Sequence, residues 1–144
     1  MAIIQTTCTS FKVELLKAEH DFDTATFKIA LYSSAASLGA DTTAYSTSNE
    51  ITNTSGSAYT AGGKNLTVTA TFPKSTGTTA IVDFGNVTWA NATFTARGAL
   101  IYNSSASNKA VAVLDFGSDR VANNSSFEVQ FPTADATSAI IRIA

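Results

Sequence analysis

Two tripeptides, Asp83-Phe84-Gly85 and Asp115-Phe116-Gly117, repeat the sequence with which protein kinases hold magnesium. Phosphoryl transfer also needs a glycine-rich phosphate loop, a strand lysine paired with a glutamate, and a catalytic loop; none accompanies them. Each tripeptide therefore reads as a strand running into a turn. Gly62-Gly63-Lys64 lacks the spacing and the following Ser or Thr of a phosphate-binding loop. His20, Asp21 and Asp23 offer one imidazole and two carboxylates, short of a full coordination shell, and read as a solvated turn. His20 is also the only histidine, and an acidic turn beside a helix end is a poor setting for the base of a Ser-His-Asp triad. Asp83 and Asp115 fall on predicted strands, and glycoside hydrolysis would require both to face one cleft. Tyr32, Tyr45, Tyr59, Tyr102 and Trp89 could stack on sugar rings, although aromatics at strand ends more often serve a core or an interface. No catalytic residue, cofactor or metal ligand is expected, and the chain reads as a non-enzyme.

The chain has 144 residues, enough for one domain that buries roughly two thirds of its unfolded surface. Serine and threonine make up roughly a quarter of it and charges are sparse, a balance that favours strands and turns over helical bundles. The formal net charge is −2 and the nine lysines and arginines are scattered, which argues against a polybasic nucleic-acid face. Cys8 is the single cysteine, so no intrachain disulfide forms. The opening residues hold neither a basic region nor a continuous apolar run. Neither a signal peptide nor a membrane anchor is expected, and synthesis in a cytoplasm is.

The elements that would position these residues centre on Val82 to Tyr102. Val87 and Trp89 point one way, and Phe94, Ala96, Gly98 and Leu100 then repeat at period two, with Thr93, Thr95, Arg97 and Ala99 opposite. The break Trp89-Ala90-Asn91-Ala92 predicts two strands lying side by side. Upstream, Phe11, Leu15 and Leu16 behind Thr9 or Ser10 predict one short helix over 9–19. Thr24 to Tyr32 alternates as a strand. Residues 33–63 form a long polar stretch expected to be an exposed excursion, with a helical turn at Asp41–Tyr45. Leu66, Val68, Ala70 and Phe72 predict a strand stopped by Pro73, with Ala80, Val82 and Phe84 as its hairpin partner. Lys109 to Gly117 is apolar on both faces, as a central strand is. A turn at Gly117–Arg120, a strand around Phe127–Phe131 and a last strand over Ala139–Ile143 complete the chain. The expected fold is all-β, an antiparallel β-sandwich or jelly roll with one short N-terminal helix. The expected core is Phe27, Ile29, Leu31, Leu66, Val68, Phe72, Trp89, Phe94, Leu100, Leu114, Phe116, Phe127 and Val129.

The runs Phe27–Tyr32, Tyr59–Leu66, Val82–Asn103 and Ala110–Gly117 together resemble small accessory virion proteins of tailed bacteriophages, similar to capsid decoration (cement) proteins. The resemblance covers most of the chain from about Phe22 onward, and Trp89–Asn103 is its most specific block. It implies a β-sandwich that assembles, typically as a homotrimer, on the outer surface of a capsid. The implied partners are the major capsid protein and further copies of the chain, with no nucleic acid, membrane or cofactor. On this reading residues 1–20 form a docking segment ahead of a sandwich over 21–144. Ile3, Ile4, Phe11 and Leu15 are its expected docking residues, being apolar and outside the strand pattern. The rival expectation is a receptor- or glycan-binding module of a tail fibre or spike, with Tyr45 and Tyr59 in the long loop as exposed contacts.

Overall fold

The computed structural model describes residues 2–52, 58–69 and 71–144. The protein is all-β with one short helix, and its strands form two antiparallel sheets. The five-stranded sheet runs in the order β1 (Thr6–Thr7), β7 (Lys109–Val129), β6 (Val87–Asn103), β2 (Phe27–Tyr32) and β3 (Lys64–Leu66). The three-stranded sheet is β4 (Lys74–Thr76), β5 (Thr79–Val82) and β8 (Ile141–Ile143). The helix α1 spans Thr9–Leu16, shorter than expected, with Cys8 at its N-cap and no side-chain capping bond.

β6 and β7 are single long strands where breaks were expected. The Trp89–Ala92 segment is a bulge: Trp89 pairs with Phe127, the register shifts, and Ala92 pairs with Ser125. Asn91 takes a positive φ there (53°), a conformation asparagine tolerates better than most residues, which is why its sequence resembled a turn. The expected turn at Gly117–Arg120 is a larger bulge. Ala96 pairs with Arg120 and Gly98 with Asp115, so Arg97 alone faces Phe116–Asp119. The Arg97 guanidinium donates to Asp115 at 3.0 Å, and the same carboxylate oxygen accepts the Gly117 N–H at 2.9 Å, which pins the bulge. Those bonds, the arginine's first, hold the Asp115 carboxyl below its ordinary range.

The ribbon buries alternate residues along its outer part and both faces further in. Thr93 and Thr95 are exposed while Ala92 and Ala96 are buried; from Gly98 to Asn103 every residue is buried. Cross-strand partners share a face, so Phe27, Ile29 and Leu31 join Asn103, Ile101 and Ala99, and Ala30 and Tyr32 join Leu100 and Gly98. Phe22 stacks on Phe27 at 4.4 Å and Phe84 and Phe11 close the same aromatic cluster, which caps the first face. The second face is covered by residues 2–4 and the loop after β2, through bridges at Ile3–Leu38, Tyr32–Glu50 and Ala44–Lys109. That loop is thus laid on the sheet instead of projecting from it, and Asp41–Tyr45 makes no helical turn. Residues 53–57 of it lie outside the described residues.

Gly98 explains how the N-terminal segment reaches the sheet. A Cβ there would sit 2.5 Å from the Leu114 carbonyl oxygen and 2.8 Å from Ile3, so only glycine leaves room for Ile3 to lie on β6. The expected pairing of Leu66–Phe72 with Ala80–Phe84 survives as one bridge, Val68–Phe84, with the Thr69 N–H on Asp83 and the Gly85 N–H on Thr67; Ala70 lies outside the described residues. The hairpin instead forms beyond Pro73, between β4 and β5. Of the expected core, Phe27, Ile29, Leu31, Leu66, Trp89, Leu100, Leu114, Phe127 and Val129 are buried, and Val68, Phe72, Phe94 and Phe116 are half-buried.

Candidate functional site

The tyrosines expected to face outward from the long loop turn inward on a carboxylate. Glu50 is buried, and its Oε1 accepts from the Tyr59 hydroxyl at 2.6 Å and the Gly62 N–H at 2.7 Å. Its Oε2 accepts from the Tyr45 hydroxyl at 2.7 Å. The Tyr59 oxygen also accepts the Leu31 N–H, which ties the loop to β2. Tyr102 donates to the Gly62 carbonyl and stacks on Tyr45 at 4.6 Å, while Tyr32 donates to Ser46. Tyr59 is therefore fully buried and Tyr45 half-buried, which removes Tyr59 as an exposed contact. The cause is Glu50: a carboxylate taken out of water without a cation must be met by donors. Among the described residues no Lys, Arg or His pairs with it. Burial first, then the hydrogen bond to Glu50, push the Tyr59 and Tyr45 phenols well above their ordinary range. Burial and the Glu50 charge push Tyr102 up to about 12.

The N-terminal segment is likewise drawn into the core. Ile3 and Phe11 are buried, so neither is available as a docking residue; Ile3 fills the space above Gly98 and Phe11 packs on the His20 ring at 4.8 Å. Ile4 stays 62% exposed and Leu15 half-buried. The exposed apolar residues of the helix are Val13 and Leu16, the latter 91% exposed. The Leu15-Leu16 pair held the signal: adjacent helical residues point about 100° apart, so one helix face cannot bury both. Leu16 overlooks a groove of about 340 Å³ between α1 and β8, whose lining is largely apolar: Phe11, Leu15, Leu16, Ile141 and Ile143, with Thr7, Lys12 and Arg142. Ile143, half exposed, extends the apolar surface along β8. No periodicity in the sequence joins residues 11–16 to 141–143; only the fold does.

The remaining candidates are engaged locally. His20 is buried with its Nε2 2.7 Å from Glu14 and its Nδ1 3.1 Å from the Asn103 amide, so it links α1 to the end of β6 instead of sitting in a solvated turn. Asp21 caps its own turn through Thr24 and the Asp23 N–H. Asp83 accepts from Thr69, just beyond β5, and Asp115 is held by Arg97 in the other sheet. Gly63 lies against β2, where a Cβ would fall 1.8 Å from the Ile29 carbonyl oxygen, a packing role. No group of three or more His, Cys, Asp or Glu able to hold a metal occurs among the described residues. No protein-family model, curated protein or solved structure matches the chain.

Proposed function

We propose that the protein is an accessory structural protein of a bacteriophage virion, a decoration protein that reinforces the head by binding the major capsid protein from outside as an oligomer, a homotrimer on the family resemblance. The observation that carries the reading is the apolar groove between α1 and β8 with the exposed Leu16 at its lip. An exposed leucine beside an apolar groove, on an otherwise Ser- and Thr-rich surface, is the composition of a docking surface. Elsewhere the paired β6–β7 ribbon and the Glu50 hydrogen bonds tie distant segments together, as a reinforcing protein requires. Weak single contacts suffice, because many symmetric copies on one shell add avidity.

Density maps of the virion test the reading directly: the protein should repeat over the icosahedral shell, and finding it only on the tail or fibres would refute the capsid role. Light scattering of the pure protein should give a closed oligomer. The rival glycan-binding reading has lost Tyr59 to the core, and half of Tyr45 with it.

A further inference from the structure

Building on the docking role proposed above, we infer that the groove between α1 and β8 receives an extended, acidic segment of the partner protein, which pairs along the open edge of β8 as a fourth strand of the β4–β5–β8 sheet. β8 lies at the margin of that sheet and pairs with β5 alone. Side chains alternate across a strand, so a groove lying on one face would meet every second residue. This groove is lined by Ile141, Arg142 and Ile143 in succession, which places it along the strand's edge. Alternate residues of an edge strand aim their N–H and C=O groups outward, a template for one more strand.

The walls select the segment's chemistry. Phe11, Leu15 and Ile141 are recessed and take apolar side chains, whereas Lys12 and Arg142 add positive charge and Lys17 follows at the helix end. The acids that α1 and its continuation carry are already engaged, Glu14 with His20 and Glu19 with Lys109. Among the described residues no acid pairs with Lys12, Lys17 or Arg142. A second copy meeting this groove with its own would set those cations against one another, and in a cyclic trimer the edge strands a copy could offer, β1, β3, β4 and β8, carry no acid. The occupant is therefore a different chain that presents apolar residues alternating with aspartate or glutamate. An anionic membrane fits less well, since it needs protruding apolar side chains and most of these are sunk in a groove.

Hydrogen exchange of the full chain, read by NMR with a synthetic valine–glutamate alternating peptide as probe, tests the assignment. The outward amides of Ile141–Ile143 should exchange about tenfold more slowly with the peptide bound, and a valine–lysine peptide should leave them unchanged. Arg142→Glu should weaken the valine–glutamate peptide about tenfold and Arg142→Lys should restore it. Should Arg142→Glu fail to fold, Lys12→Glu on the exposed side of the helix makes the same test. Equal protection by both peptides, or none by either, overturns the inference. So does co-sedimentation with phosphatidylserine–phosphatidylcholine vesicles that Leu16→Asp abolishes. Virion maps showing the protein on the shell, together with an unprotected β8, would sink strand addition and leave the decoration role standing. Protection of β8 with the protein absent from the shell would do the reverse.

Discussion

Glu50 holds the loop against the second face of the sheet, because three donors from separate parts of the loop converge on it. Glu50→Ala removes the acceptor of the buried Gly62 N–H and of the Tyr45 and Tyr59 hydroxyls, and should cost at least the roughly 1–3 kcal/mol of one orphaned buried group. Glu50→Gln should cost less, since the Tyr45 hydroxyl can turn to accept from the new amide; urea denaturation of both variants measures the difference. The same cluster sets the alkaline limit. Its phenols ionise above their ordinary value of 10.0 in the folded protein, Tyr102 at about 12. The unfolded chain thus loses these protons first, so the tyrosines' contribution is full below pH 10 and is lost as pH rises through the folded-state values. Tyrosinate absorbance and unfolding should rise together between about pH 10 and 12; phenols titrating near pH 10 in a chain that stays folded would contradict this. Cys8, its thiol pushed up to about 11 by burial and then by Glu14 and Asp41, should resist alkylating reagents at neutral pH until the protein unfolds.

The β6–β7 ribbon depends on Gly98, where N-terminal segment and sheet meet. Gly98→Ala drives a methyl into the Leu114 carbonyl and Ile3, and should destabilise by about 1–3 kcal/mol, read as a lowered thermal midpoint. Ile3→Ala in the same background should recover part of that loss by vacating the space. Strand identity was legible in Phe27–Tyr32 and in the doubly apolar Lys109–Leu114, but not in Leu66–Phe72, whose alternation yields one bridge to its expected partner, Val68–Phe84. Strand length was not, because Asn91 and Gly117 supply the same positive φ to a bulge that they would supply to a turn. What distinguishes the two is the partner strand, which lies far along the chain. The inward turn of the tyrosines is hidden for a related reason: the loop is polar by composition, but Glu50 organises its aromatic residues inward through contacts no local pattern displays. The apolar groove was half legible, since the helix was expected but its company with residues 141–143 is set by the fold.

The segment from Ala2 to His20 is anchored in the body of the molecule and is not a detachable arm. Ile3, Cys8, Phe11 and His20 are all buried, and Cys8 donates its N–H to Val111. Removing residues 1–19 should therefore unfold the protein or cost several kcal/mol, whereas Leu16→Asp should leave the circular dichroism spectrum and thermal midpoint intact and abolish docking. A truncated chain that kept its near-ultraviolet spectrum would restore the arm. The contacts of this segment also govern the order in which the chain can be built. Gln5 receives the N–H of Asp115 from 110 residues away, and β1 pairs with that same late strand. At roughly 5–20 residues per second, a ribosome takes about 5–20 s to supply the partner after Gln5 has been made. For that interval the nascent chain holds Ile3, Cys8 and Phe11, all buried in the finished fold, before β7 exists. Residues 5–8 are thus made early and placed late, since β1 finds its partner only once β7 has been made.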